Sequence, residues 1–429
     1  MILFFRMERK NLQLIKDTIS SSINYLKVFL KWVALSVMVG LVGGILGTLF
    51  HKSIDYVTEI RVENSWLIFL LPFGGLVIAF IYRLFKSKGN IDTNRVLEAA
   101  GKDKNVPIIM IPLIFVSTII THLLGGSAGR EGAALQLGGG IGYNLGRIVK
   151  LSKNDMHVIV MAGMSSVFAA LFGTPLTAAF FALEVTSVGI LHYVALVPCV
   201  ISSLVSYRVA LYFGVTPVRF SNITAHAISI EVVSKVVILA VLCALVSILF
   251  CIVMRKSEHC MKNFFPNIYL RAAVGAAMLI ALTLIVGTYD YNGAGMDVIT
   301  RAIEGNTRPE AFILKIIFTA ITISAGFKGG EIVPAFFIGS TFGCTVGGLL
   351  GLNPGVGAAI GFVALFCGVV NCPIASLMLA IEVFGAENAL VFALACSISY
   401  MMSGYFGLYK SQKIVYSKLN EDEIDIYTR

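Results

Sequence analysis

The chain has 429 residues, of which 57% are hydrophobic and only 13% charged, with a formal net charge of +9. Soluble domains carry nearer a quarter charged residues, so this composition needs lipid as its solvent and excludes an ordinary soluble protein. The eight cysteines and six histidines are dispersed, without C-x-x-C or H-x-x-x-H spacing. No metal site or cofactor is expected, and the cysteines read as small, buried apolar side chains.

In chain order, residues 1–31 mix charges (Arg6, Glu8, Arg9, Lys10, Lys16) with apolar residues and lack the clean apolar core of a signal peptide. They are expected to form an amphipathic cytoplasmic helix, at the membrane surface or leading into the first span. A helix needs about 20 apolar residues to cross the hydrocarbon core. Candidate spans lie at 32–50, 67–85, 106–124, 157–183, 191–213, 232–254, 270–286, 312–326, 355–380 and 390–406. Some are too long for one crossing and two more Gly-rich apolar stretches lie beside them, so ten to twelve membrane helices are expected. The expected class is an all-α polytopic membrane protein with one membrane domain, 32–409, and a short cytoplasmic tail, 410–429. Loops at 86–104, 147–153, 255–271 and 410–418 carry excess Lys and Arg, which places them and both termini on the cytoplasmic side. That topology accounts for the positive charge without a nucleic-acid partner.

The second half echoes the first. Gly173-Thr174-Pro175-Leu176-Thr177-Ala178 leads to Leu183-Glu184-Val185, and Asn371-Cys372-Pro373-Ile374-Ala375-Ser376 leads to Ile381-Glu382-Val383; the offset is 382 − 184 = 198. Before each copy lies a Gly-rich element, Gly129 to Gly138 and Gly330 to Gly339, offset by 330 − 129 = 201. Repeat one is read as about 32–215 and repeat two as about 230–409. Paired, Gly/Pro-interrupted apolar segments in two halves point to a transporter fold with a midplane site. Irregular backbone at that depth must be buried in protein or line a watery cavity. Helix starts there expose N–H groups and the positive end of the helix dipole, which together bind an anion. Glycines of the Gly138-Gly139-Gly140 and Gly347-Gly348 type are read instead as close-packing positions.

A carboxylate inside a membrane segment is costly and points to function. Glu131, in Gly129-Arg130-Glu131-Gly132-Ala133, sits where helix-start amides would gather an anion. A deprotonated carboxylate can occupy the site it guards and leave on protonation, so Glu131 is read as a gate rather than a fixed cap, which would need no glycine on both sides. Glu184 and Glu382 sit at equivalent repeat positions and are read as structural, through capping or cross-repeat hydrogen bonds. Glu331 is expected near the pathway or paired with Lys328 or Arg130.

These motifs resemble the CLC family of chloride channels and proton-coupled anion transporters, over about 32–409. Gly129-Arg130-Glu131-Gly132 resembles its G-[KR]-E-G-P element with Ala133 for Pro, and Gly330-Glu331-Ile332-Val333-Pro334 its G-x-F-x-P element with Ile332 for Phe. Phe172-Gly173-Thr174-Pro175-Leu176 and Val370-Asn371-Cys372-Pro373-Ile374 resemble its repeated N-[AT]-P-L turns, and Tyr409 stands where the family has a late pore-facing tyrosine. The resemblance implies a homodimer with one anion pathway per subunit, built from two inverted repeats of membrane and half-membrane helices. It also implies Glu131 as gating glutamate, anion-facing backbone at Gly129, Arg130, Gly132, Ala133, Ile332 and Val333, and a Tyr409 hydroxyl at the inner site. The nucleotide-binding pair that follows the membrane domain in some members is not expected.

Two departures qualify the match. The family's serine-bearing G-S-G-I-P is replaced by Gly89-Asn90-Ile91-Asp92-Thr93, where an Asn90 amide could take the serine's part. The inner proton-transfer glutamate is replaced by Val185. Loss of both also marks the family's bacterial fluoride-exporting branch, whose Gly-Gly-Glu resembles Gly329-Gly330-Glu331. The leading reading is therefore a channel or transporter that moves a small inorganic anion, chloride or another halide, across the inner membrane through a pathway gated by a protonatable glutamate, with fluoride/proton antiport as the alternative. An organic-anion symporter would need more polar spans and a carboxylate-clamping arginine. A scaffold gives no reason for Glu131, and no nucleophile–base pair suggests an enzyme.

Overall fold

A computed structural model describes residues 2–85, 92–102, 104–220 and 229–429, with side chains described from residue 20 onward. Asn90 lies outside the described residues. Within them the chain forms α1 (Ile2–Glu63), α2 (Leu71–Phe85), α3 (Thr93–Gly101), α4 (Met110–Leu123), α5 (Glu131–Ile148), α6 (Lys153–Phe172), α7 (Pro175–Glu184) and α8 (Leu196–Tyr212). A second set follows: α9 (Ile230–Phe264), α10 (Ile268–Val286), α11 (Met296–Ile303), α12 (Ala311–Ala325), α13 (Ile332–Leu349), α14 (Pro354–Val370), α15 (Pro373–Phe384) and α16 (Ala389–Met402). Seven of the described helices are long and apolar enough to cross a bilayer, and shorter apolar helices pack among them. The protein is an integral membrane protein.

The breaks between helices have local causes. The expected span 157–183 is two helices, because Gly173 takes a left-handed φ of +69° that ends α6, and Pro175 opens α7 at its first position. The expected span 355–380 divides in the same way at Asn371, φ +57°, and Pro373. The N-terminal helix leads into the first span, since α1 runs through residue 32 without interruption.

The repeat is a pseudo-two-fold that hydrogen bonds make explicit. Helices α5 and α13 start and stop at one offset, 332 − 131 = 201 and 349 − 148 = 201. Gly129 and Gly330, equivalent by that offset, donate N–H to each other's carbonyl at 2.7 Å in both directions, as an antiparallel bridge. Beside it the Ser127 amide donates to Thr322 Oγ1 at 3.0 Å and the Lys328 amide to Thr121 Oγ1 at 3.2 Å. Those partners are also equivalent, 328 − 127 = 201 and 322 − 121 = 201. Further along, Glu184 accepts from the Ile374 and Ala375 amides at the start of α15. Glu382 accepts from the Leu176 and Thr177 amides and the Thr177 hydroxyl at the start of α7. The two carboxylates thus cap each other's repeat, the structural role read from their symmetric placement.

The repeats are inverted. Lys31 in α1 pairs with Asp155 at the start of α6, while Asp55, 24 residues further along α1, pairs with Arg130. At 1.5 Å per residue those contacts are about 36 Å apart, close to a bilayer core. The end of α1 and the start of α11 line a cavity on the Asp55 side. Their repeat equivalents, the end of α9 and the start of α3, line a cavity on the opposite side.

Packing between α5 and α6, and between α13 and α14, requires glycine at the crossings. A Cβ on Gly138 would lie 2.1 Å from the Gly163 carbonyl oxygen, and one on Gly339 would lie 2.3 Å from that of Gly361. The tail is not a free segment. Strands β2 (Lys413–Tyr416) and β3 (Glu423–Tyr427) pair antiparallel, and β2 pairs parallel with β1 (Ser187–Val188), so the otherwise helical fold carries a small three-stranded sheet. Buried Gln412 ties the tail inward, donating to the Val185 and Val370 carbonyls at 3.1 and 2.7 Å.

Replacing Glu382 by Ala removes the acceptor for three donors at the start of α7 and should destabilise the protein by about 1–3 kcal/mol. A thermal unfolding scan of detergent-solubilised protein reads this as a lower midpoint, and an unshifted midpoint contradicts the capping role.

Candidate functional site

The two paired glycines bring the N-termini of α5 and α13 together at the centre of the molecule. Glu131 is the first residue of α5 and is fully buried. Its side chain turns back across the junction. One carboxylate oxygen accepts from the Arg130 amide at 3.0 Å, and the other from the Val333 amide in the first turn of α13 at 3.1 Å. The carboxylate is therefore held by one backbone donor from each repeat, between two helix dipoles whose positive ends favour negative charge. Charge-assisted bonds of this kind contribute about 1.5–3 kcal/mol each.

Glycine is dictated on both strands of the bridge. A Cβ on Gly129 would lie 2.1 Å from a Glu131 carboxylate oxygen, and one on Gly330 would lie 2.4 Å from the Gly132 amide nitrogen. Gly132, Ala133, Ile332 and Val333 are all buried in the first turns around the carboxylate. The repeat is unequal here: Ile332 occupies the position equivalent to Glu131, so only one carboxylate sits at the junction.

Arg130 does not pair with Glu331. Its guanidinium bonds Asp55 at 2.9 Å, and Asp55 also contacts His51 at 3.0 Å. Lys328 places its ammonium over the Tyr82 ring, 4.3 Å from the centroid. Glu331 faces a different space from Glu131, a cavity of about 530 Å³ that it lines with Thr93, Gln136, Lys328 and Tyr409. Tyr409 is buried in that wall and its hydroxyl has no protein partner. Gln136 donates to Thr93 Oγ1 at 3.0 Å, and the oxygen of its amide group is likewise buried and unpartnered. The second cavity, about 610 Å³, lies on the Asp55 side and is lined by Arg130 and Val333, whose amides hold Glu131. The carboxylate thus stands between two cavities lined by equivalent elements of the two repeats.

The site brings together Gly129, Arg130, Glu131, Gly132, Ala133, Ile332 and Val333, with Tyr409 in the adjoining cavity. Thr93 and Gln136 were not singled out from sequence, although a glutamine inside an apolar, Gly-rich run was a signal for the latter. Among the described residues no group of His, Cys, Asp and Glu could hold a metal ion.

Comparison with known proteins identifies the family. The profile described as "Voltage gated chloride channel" matches residues 74–404, and the chain belongs to that family. It is 35% identical over 395 residues to a chloride/fluoride channel protein of Pseudomonas syringae pv. tomato, covering 90% of this chain and 87% of the relative. It is 25% identical over 402 residues to an H(+)/Cl(-) exchange transporter, ClcA, of Vibrio cholerae, covering 86% and 85%. Among solved structures, a CLC-type fluoride/proton antiporter superposes with a TM-score of 0.85 at 30% identity, over 89% of this chain and 97% of that one. A slow cyanobacterial Cl-/H+ antiporter, at 18% identity and a TM-score of 0.73 over 87% and 94%, shares the fold.

Replacing Gly129 by Ala should push the Glu131 carboxylate off the Val333 amide, with an overpacking cost of about 1–3 kcal/mol. A high-resolution structure of the variant reads the carboxylate position; an undisturbed Val333 contact contradicts the steric argument.

Proposed function

We propose that the protein moves a small inorganic anion across the membrane in exchange for protons, that the anion is fluoride rather than chloride, and that Glu131 is the gate. The observation that carries the reading is the Glu131 carboxylate itself, an anion held by the Arg130 and Val333 amides between two cavities. An anion arriving at those donors competes with the carboxylate. Protonation removes the charge that the amides and helix dipoles stabilise, so the side chain leaves and the anion takes its place. Because the side chain can face either cavity once released, the same group exchanges a proton with one side and yields to an anion on the other.

The preference for fluoride rests on the greater likeness to the chloride/fluoride channel protein and the fluoride/proton antiporter than to the chloride exchangers. It fits two features of the chain, Val185 in place of an inner proton-transfer glutamate and no G-S-G-I-P serine. Chloride, the leading reading from sequence, becomes the alternative. Tyr409, with its unpartnered hydroxyl in the cavity wall, is assigned as a donor to the anion on the Glu331 side. Asn90 is assigned no role. The reading carries with it a homodimer, one pathway per subunit, and insertion in the inner membrane with both termini cytoplasmic.

The test is efflux of fluoride, chloride and nitrate from liposomes containing the purified protein, with and without a pH gradient. Fluoride efflux should exceed chloride efflux at least about tenfold, the factor corresponding to 1.4 kcal/mol, and should move protons in the opposite direction. Chloride efflux with proton movement selects the alternative, and loss of any difference from protein-free vesicles removes transport. Replacing Glu131 by Gln, which keeps the shape and loses the titrating group, should abolish proton coupling; unchanged coupling removes Glu131 as gate. Tyr409→Phe should lower anion affinity about fivefold to tenfold while retaining coupling, the effect of one lost hydrogen bond of about 1–1.5 kcal/mol; an unaltered half-saturating concentration removes its role.

A further inference from the structure

We propose that the cavity on the Asp55 side holds a second anion site, distinct from the one Glu131 occupies, in which Arg61 and His122 bind a halide together with a proton. The inference rests on the anion-transport reading and names how the anion reaches the Glu131 junction from that side.

Two buried nitrogen atoms in the cavity wall have no partner. His122, in the last turn of α4, lines the cavity and is 1% exposed. Its Nδ1 lies 2.9 Å from the Thr118 carbonyl oxygen, which can only accept, so Nδ1 carries a proton. The other ring nitrogen, Nε2, is buried without a hydrogen bond. Arg61, in the last turn of α1, lines the same cavity, and its Nη1 is also buried without a hydrogen bond. The guanidinium rests on Gly293, where a Cβ would lie 2.2 Å from Nη1, so the 290–295 segment is shaped to seat it. Buried polar atoms are nearly always satisfied, and a pair left open in one cavity requires a missing partner.

The chemistry of the pair selects that partner. Arg61 can only donate. His122 with its proton on Nδ1 presents a lone pair to the cavity, which repels an anion. A second proton converts Nε2 to a donor and adds positive charge. A halide then accepts from both residues, and by linkage the proton and the halide strengthen each other's binding by one factor. A neutral water molecule could also bridge the atoms, but it would not tie its own binding to protonation.

Other charged groups surround the pair. From α12, fully buried Lys315 donates to the Tyr291 and Gly293 carbonyls at 3.2 and 2.8 Å, behind the segment that seats Arg61. Arg130 adds a second cation in the wall, ahead of α5, with the Glu131 carboxylate beyond it. The carboxylates of the cavity wall are Asp55 and Glu59 on α1, Asp290, and Asp297, whose charge acts on Arg61. Asp55 is bound by Arg130 and His51, and Asp290 by Arg301 at 2.9 Å. Glu59 and Asp297 are exposed, where water and salt screen them. Arg61 and His122 share that wall with Arg130 and Val333, the two residues whose amides hold Glu131. The site is thus a waiting position one step from the junction, filled by anion and proton together.

The test is calorimetric titration of the full-length protein with sodium fluoride in the Glu131→Gln background, where the gate no longer titrates. Affinity at about pH 5.5 should exceed that at about pH 7.5 by about tenfold or more, since binding that requires the second imidazole proton strengthens as pH falls. His122→Gln in the same background should remove the pH dependence, and Arg61→Gln should weaken binding at both pH values by about tenfold to a hundredfold. Arg61→Lys, which keeps the charge, should recover part of the loss and serves where Arg61→Gln does not fold. Equal affinity at the two pH values, or affinity untouched by either residue, overturns the proposal and leaves water as the cavity's occupant. Liposome efflux by the wild type separates this from the transport reading: proton-linked binding without efflux removes transport alone, and efflux without proton-linked binding removes the second site alone.

Discussion

The pair of 2.7 Å hydrogen bonds between Gly129 and Gly330 is the constraint on which the rest of this structure depends. Two equivalent residues of a repeat can exchange identical bonds only if a two-fold axis runs between them. Once it does, α5 and α13 must begin at the same depth with their N-termini facing. Unpaired amides of two helix starts, together with two positive dipole ends, then converge on one small volume inside the membrane. That volume favours an anion whichever side chains surround it. The crossed hydrogen bonds of Ser127 to Thr322 and Lys328 to Thr121 hold the same axis a few residues away.

Symmetry builds the junction, and its one inequality makes the junction useful. Glu131 faces Ile332 across the axis, so a single carboxylate enters a site assembled from both halves. Were both positions acidic, two like charges would compete for the same amides. The reciprocal caps of Glu184 and Glu382 show the contrasting use of the same residue type. There a carboxylate is present in each repeat, each is matched to its partner's helix start, and neither borders the junction.

The two cavities repeat that contrast between symmetry and inequality. Equivalent elements line them, yet their contents differ. The Glu331 side offers hydroxyl and amide groups, Tyr409, Thr93 and Gln136, with the folded tail nearby. The Asp55 side offers Arg61, His122 and Arg130 in a wall that also carries the carboxylates of Asp55, Glu59, Asp290 and Asp297. On the proposed reading an anion meets hydroxyl and amide donors on one side of Glu131, with Lys328 in the same wall, and Arg61 with His122 on the other. The tail completes the first side, because Gln412 links it to the ends of α7 and α14 through Val185 and Val370.

Much of this was legible in the residues. Membrane class followed from composition, the repeat from its constant offsets, and the costly carboxylate at Glu131 from its apolar surroundings. The division of the long spans was less so, because a left-handed Gly173 or Asn371 ends a helix without changing its hydropathy. The strands of the tail depend on pairing with Ser187 and Val188, more than 200 residues earlier, which no local pattern reports. His122 and Arg61 were passed over because each is ordinary in its own segment; only folding sets an unpaired nitrogen of each in one cavity. The sequence by itself determined that two halves would carry equivalent helix starts and that one would begin with a glutamate. Inversion of the halves was implied by the family resemblance and by no spacing in the chain; tertiary structure alone decided that the starts meet through Gly129 and Gly330 and that the Glu131 carboxylate reaches the Val333 amide. Orientation and contact across 202 residues are properties of packing in three dimensions, and no periodicity along the chain encodes them.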